Sequence, residues 1–164
     1  MKETAAAESD VVQLTAFRVG NEEYVIDIMR VREIIRPLPV TKVQKGPRFV
    51  EGVINLRGEV IPVVDMRRRF DLSVDEHGGR KIIIVTVESR IIGLIVDAVT
   101  EVVRVSRSSI RPAPRLLDIE QAPYFLGVCH YKGRTLLLLH VKHIIGSEGA
   151  IDVESAAELL RGEL

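Results

Sequence analysis

The side chains that could do chemistry are few. His140 and His143 stand at H-x-x-H spacing, and Cys129 adjoins His130. Imidazole and thiolate are the usual ligands of a zinc-type ion, but neither H-E-x-x-H nor C-x-x-C spacing occurs. Strand alternation puts Cys129 and His130 on opposite faces, so a shared site would need a bulge. The run Arg67 to Arg69 could meet a phosphate, yet the chain balances 23 Lys and Arg against 23 Asp and Glu. A solvated or partner-facing patch is the reading that follows. There is no P-loop, G-x-G-x-x-G or G-x-S-x-G, and Gly78-Gly79 reads as part of a linker. No catalytic residue, metal or cofactor is expected, and an enzyme is the least supported class. What remains is one arginine: Arg57, in "GVINLRGEVIPVVDMRRRF" from Gly52 to Phe70.

The elements around it are β-strands. Alternation through "INLR" turns Ile54 and Leu56 to one face and Asn55 and Arg57 to the other. Val53–Leu56 and Val60–Val64 flank Arg57-Gly58, where glycine supplies the positive φ of a tight hairpin. Val11–Val19 and Tyr24–Ile28 flank "GNEE"; Lys81–Val87 and Arg90–Val96 flank a two-residue gap; Phe125–Tyr131 and Thr135–Leu139 flank Lys132-Gly133. Short strands at close spacing indicate a small barrel or sandwich. Pro62 argues that "EVIPVV" is not in the middle of a continuous sheet. Helical signals are a brief turn near Ile28–Val31 and a tail in which Ser155 and Glu158 have capping-box spacing ahead of Leu159 and Leu160.

An internal repeat organises the chain. "FVEGVINLRGEVIPVVDMRRRF" lies over "YFLGVCHYKGRTLLLLHVKHII" at a constant offset of 75, pairing Gly52 with Gly127 and Arg57 with Lys132. "VREIIR" (31–36) lies over "VTEVVR" (99–104) at an offset of 68. Two copies of one β unit, about 11–72 and 80–146, therefore form a single domain over 11–146, with strands free to be exchanged between two small barrels. Residues 1–10 read as a flexible N-terminus and 147–164 as a tail carrying a helix.

Composition bounds the rest. The 164 residues are 46% apolar and only 4% aromatic, with no net charge. No basic excess draws the chain to nucleic acid or anionic lipid. One cysteine excludes an internal disulfide and fits a reducing compartment. The opening "MKETAAAESD" lacks an apolar h-region, and no apolar run approaches a bilayer's thickness. The expected location is the cytoplasm, without direct membrane insertion.

Taken together, "VEGVINLRGEVIPVVDMRRRF", the preceding "FRVGNEEYVIDIMRVREI" and the following "GLIVDAVTEVVRV" with "IRPAP" resemble the CheW family of chemotaxis coupling proteins, over about Val12–Ile145. The resemblance implies an all-β fold of two five-stranded SH3-like barrels and a non-enzymatic adaptor. Such an adaptor joins the cytoplasmic tips of chemoreceptors to the regulatory domain of a CheA-type histidine kinase. It would be a monomer alone and assemble in membrane-receptor arrays through protein contacts. By alignment with the family, receptor binding falls to Val31, Glu33, Gly52, Arg57, Val99 and Val102. Kinase binding falls to Thr15, Phe17 and Ile28, on an edge built by the first two strands. The second half, "GVCHYKGRTLLLLHV", is richer in leucine and "MRRRF" more basic than the family pattern suggests.

Other readings stand beside this one. An exposed Glu–Arg pair contributes only about 0–1 kcal/mol, and most such pairs are solvated surface. Valines in a β protein more often pack in the core than meet a partner, and Phe17 by itself reads as core. A small-barrel nucleic-acid binder would need exposed aromatics and a basic groove. An adaptor of twitching or gliding motility would share fold and contacts.

Overall fold

The computed structural model describes residues 10–43, 50–74, 78–112 and 124–145. Among them are ten strands: β1 (Val11–Val19), β2 (Glu22–Asp27), β3 (Val31–Ile35), β4 (Val50–Leu56), β5 (Glu59–Asp65), β6 (Lys81–Val87), β7 (Arg90–Val96), β8 (Ala98–Ser106), β9 (Phe125–Tyr131) and β10 (Arg134–Leu139). Single 3₁₀ turns occupy Ile28–Arg30 and Arg107–Ser109, and two short helices, α1 (Met66–Arg69) and α2 (Val141–Ile145), follow β5 and β10. The tail helix expected near Leu159 lies outside the described residues. The strands that turn signals did not delimit, β3 and β8, fall on the "VREIIR" and "VTEVVR" repeats.

Local hairpins form where they were expected. Arg57 and Gly58 both have positive φ, 52° and 86°, and so do Lys132 and Gly133, at 48° and 76°. That geometry matches the right-handed twist of the flanking strands. Arg57 itself thus stands in the left-handed region, which only glycine occupies without cost.

The hairpins then change partners. One sheet runs β8-β1-β2-β10-β9 and the other β3-β6-β7-β5-β4. The β1–β2 hairpin of the first copy completes the sheet of the second copy, and β6–β7 completes that of the first. The exchange is symmetric: β10 pairs parallel with β2 just as β5 pairs parallel with β7. Each sheet curls shut through one further bridge. Thr41 and Val53 exchange hydrogen bonds of 2.9 Å, and Arg111 and Val128 exchange bonds of 2.9 and 2.7 Å. Barrel I is the sheet containing β1 and β2; barrel II is the sheet containing β3 to β7.

Pro62 sits differently from its expected place. Strand β5 is interior, between β7 and β4. Val53, the register partner of Pro62, gives its own N–H and C=O to Thr41. The nitrogen of Pro62 therefore faces the β7 side, where pairing starts only at Val63. No ladder bond is lost, so an interior strand accommodates the proline.

Apolar residues fill three spaces. Leu14, Val25, Val103 and Leu136 pack inside barrel I; Ile54, Ile61, Ile82 and Ile84 pack inside barrel II. The largest cluster lies between the barrels and joins Phe17, Tyr24 and Ile26 to Phe70, Ile83, Leu94 and Ile144. Tyr24 stacks with Phe70 and Phe125 at centroid distances of 5.1 and 6.1 Å. With these rings buried, Tyr24's hydroxyl is pushed far above its usual pKa by desolvation, with a smaller contribution from Glu22.

The arginine run departs from its expected role as a solvated or partner-facing patch. Arg67 makes a two-pronged contact with Asp97, Nε to Oδ1 at 2.8 Å and Nη2 to Oδ2 at 2.7 Å. Arg69 donates to the Ile144 carbonyl at 2.6 Å and lies over the Tyr124 ring, while Arg68 pairs with Glu51 at 3.3 Å. Asp65 is 1% exposed; it caps α1 through the N–H groups of Arg67 and Arg68 and accepts from Arg80 at 2.9 Å. A carboxylate buried at a helix start needs such donors. Distant carboxylates thus take Arg67 and Arg68, and a carbonyl and an aromatic ring take Arg69.

Candidate functional site

Arg57 reaches from the β4–β5 turn to β3, where its Nη2 donates to Glu33 Oε2 at 2.5 Å. Asn55 Oδ1 accepts the Gly58 N–H at 2.9 Å and braces the turn from within. Arg57 is 68% exposed and Glu33 28%. The pair borders a polar hollow that also involves Arg32, Glu59 and Ile84, with Arg32 and Glu59 3.8 Å apart. An exposed pair of this kind contributes about 0–1 kcal/mol to stability. The left-handed backbone and exposed guanidinium of Arg57 suit it instead to display: a rigid hairpin holds the donors that Glu33 does not take out for carbonyls or a carboxylate of a partner.

The remaining receptor-side candidates separate into two kinds. Val31 and Val99 are half-buried and both pack against the cluster between the barrels. Val102 is half-exposed on the outer strand β8, and its repeat equivalent Ile34 is similarly placed on β3. Gly52 is buried, and a Cβ there would stand 2.1 Å from the Thr41 carbonyl oxygen. Its φ of 152° belongs to glycine as well. Gly52 thus closes barrel II, and its copy Gly127 closes barrel I against the Arg111 carbonyl.

The kinase-side candidates differ from their expected placement. Strands β1 and β2 are interior, and β8 and β9 are the outer strands of that sheet. Thr15 and Phe17 are buried, the latter wholly within the cluster between the barrels. Neither side chain is available to a partner in this conformation; the pairing of β1 with β8 removes the edge that was expected there. Ile28 is half-buried in the 3₁₀ turn that carries the chain from barrel I to barrel II.

Sequence reasoning missed a second charged cluster. Arg134 on β10 pairs with Glu23 at 3.1 Å and with Glu101, and Thr100 donates to Glu23 at 3.0 Å. Glu101 is the copy of Glu33, yet it takes Arg134 rather than Lys132, the copy of Arg57. The "VREI" and "VTEV" match was the signal for it. His140 and His143 lie with ring centroids 4.1 Å apart. Burial lowers the His140 pKa first, and the charges of His143, Arg30 and Lys142 lower it further. Cys129 is buried, and desolvation raises its thiol pKa against a smaller lowering by Ser109. Among the described residues no group of three or more His, Cys, Asp or Glu could hold a metal, and no helix is long and apolar enough to cross a membrane. The aromatic side chains expected of a nucleic-acid stacking platform are, among the described residues, buried or half-buried.

A duplicated pair of five-stranded, SH3-like barrels with a displayed arginine at one hairpin defines a class of small all-β interaction modules. Residues 13–149 match the family model described as the CheW-like domain, and the chain belongs to that family. It is 40% identical over 137 residues to the chemotaxis protein CheW of Rhizobium meliloti, covering 83% of this chain and 88% of that protein. The chemotaxis protein CheW of Klebsiella aerogenes is 33% identical over 156 residues, covering 93% of each. Among solved structures, the scaffolding protein TtCheW of Thermoanaerobacter tengcongensis superposes with a TM-score of 0.78 at 32% identity, covering 84% of this chain and 94% of that one.

Proposed function

We propose that this chain is a non-enzymatic chemotaxis scaffold that couples the cytoplasmic tips of chemoreceptors to the regulatory domain of a CheA-type histidine kinase. The observation that carries the reading is the Glu33–Arg57 pair, displayed from a rigid hairpin on a fold shared with CheW scaffolds. Val31, Glu33, Arg57, Val99 and Val102 are the receptor-facing residues, with Gly52 shaping the strand beneath them. Such a groove takes a helical partner through apolar contacts, with the arginine at its rim. Ile28 is the direct kinase-side residue, and Thr15 and Phe17 act through the packing of β1. The protein works in the cytoplasm at receptor arrays, where individually weak contacts add through multiplicity.

The test is a titration of the protein against a CheA-type regulatory domain and against a receptor-tip fragment, with Arg57→Glu in parallel. Wild type is expected to bind both, and the variant to keep the kinase domain and lose the receptor tip. Absence of kinase-domain binding at hundreds of micromolar (roughly 5 kcal/mol or weaker) overturns the reading.

A further inference from the structure

Asp97 is the single residue between β7 of barrel II and β8 of barrel I. Its carboxylate accepts from both barrels at once: Arg67 of α1 by two bonds, and the Gly20 N–H of the β1–β2 turn at 2.8 Å. Its own N–H goes to the Arg18 carbonyl of β1 at 2.9 Å. Arg67 and Asp97 are each about 15% exposed, 16% and 15%, so water competes weakly for them. Arg67 spends its third prong on the Ser73 carbonyl at 2.9 Å. The other crossover, at Ile28–Arg30, has a carboxylate too, but Asp27 turns back to cap the Met29 N–H of its own turn.

The receptor-side residues are divided between the barrels. Val31, Glu33 and Arg57 belong to barrel II, whereas Val99 and Val102 belong to barrel I. Val99 follows Asp97 by two residues on β8 and pairs with Phe17 in register. A partner that touches both groups reads the angle between barrels, which apolar packing alone defines loosely because hydrophobic contact is non-directional. Directional, bidentate hydrogen bonds define it tightly.

We propose that Arg67 and Asp97 are positioning residues that lock the angle between the two barrels and so hold the receptor-facing surface in its binding shape. The inference rests on the proposed function for its receptor arm; the locking of the barrels is independent of it. The β1–β2 region is tied to the same clamp, since Asp97 holds the Gly20 N–H and the Arg18 carbonyl.

The experiment uses the full chain with spin labels on Lys42→Cys in barrel II and Arg104→Cys in barrel I, both exposed positions, leaving the buried Cys129 in place. Inter-label distance distributions are compared for the parent, Arg67→Lys and Asp97→Asn. Arg67→Lys keeps the charge and replaces the fork by one ammonium. The expected result is a broadened or shifted distribution in both variants. Receptor-tip binding is expected to weaken about tenfold, the scale of one side chain's coupling to a remote site. Circular dichroism at the measuring temperature confirms the folded state; should Asp97→Asn fail to fold, Arg67→Lys carries the test. Unchanged distance distributions overturn the clamp, and receptor-tip binding equal to the parent's in a folded variant with a broadened distribution overturns its role in holding the binding shape. If the parent chain binds no receptor tip, the proposed function fails, and the distance distributions alone then decide the clamp.

Discussion

The carbonyl oxygen of Thr41 fills the place where a side chain on Gly52 would begin, 2.1 Å from an ideal Cβ. Two backbones meet there so that barrel II can close, and no rotamer change can relieve an overlap with a carbonyl. Gly52→Ala is therefore expected to destabilise the fold by at least about 2 kcal/mol, the range of an overpacked core site. Gly127→Ala, 2.5 Å from the Arg111 carbonyl, should do the same in barrel I. Urea unfolding of both variants measures this. A Gly52→Ala protein of unchanged stability that only loses receptor binding would return this glycine to the role of a direct contact.

Phe17 belongs to the cluster between the barrels, with its ring 5.9 Å from that of Tyr24. Phe17→Ala is expected to cost about 3–5 kcal/mol of stability. Any loss of kinase-domain binding should follow the unfolded fraction measured under the same conditions. Weakened binding by a variant as stable as the parent would show a direct contact instead.

Val102 offers the opposite case. It is 50% exposed on an outer strand, so Val102→Glu should change stability by less than about 1 kcal/mol, the span of strand propensity. Receptor-tip binding should nevertheless fall about tenfold or more, as for an apolar contact residue replaced by a charge. Thermal melts paired with titration separate the two effects.

His140 gives a dependence on pH. Its buried Nδ1 has no hydrogen-bond partner among the described residues, and burial, followed by the charges of His143, Arg30 and Lys142, holds its pKa below the ordinary value of 6.5. A base whose folded pKa is depressed binds protons more readily when unfolded. Its favourable contribution is present in full above pH of about 6.5 and is lost as pH falls through that value toward the folded pKa. Melting temperature should thus drop between pH 7.5 and 5.5 (about one unit either side of the ordinary value), and His140→Gln should shrink that drop. An equal drop in parent and variant would assign it to other groups.

Much of the fold was legible in the sequence, for an identifiable reason. Strand alternation and two-residue turns are local, and Ile54 proves buried while Asn55 and Arg57 are exposed, as alternation requires. Strands β3 and β8 were visible only as a repeated motif, because "VREII" has no turn residues to delimit it. The partners of the arginine run, above all Asp97 for Arg67 and Ile144 for Arg69, are distant in sequence and near only in the folded chain, so the run reads locally as a solvated patch. The edge assigned to β1 was misplaced for the same reason, since its partner β8 lies some 80 to 95 residues further on by register.

The sequence by itself determined most strands and their hairpins, because alternation and turn residues act over a few positions, and it showed the duplication because the two copies keep matching motifs. Only the tertiary structure decided that the copies exchange their hairpins. Both copies carry the same alternation of apolar and polar residues, so either hairpin could satisfy either sheet's burial; the choice is made by long-range pairings and by the crossover at Asp97. The same exchange carries β1 into the second copy's sheet, where Phe17 is buried between the barrels.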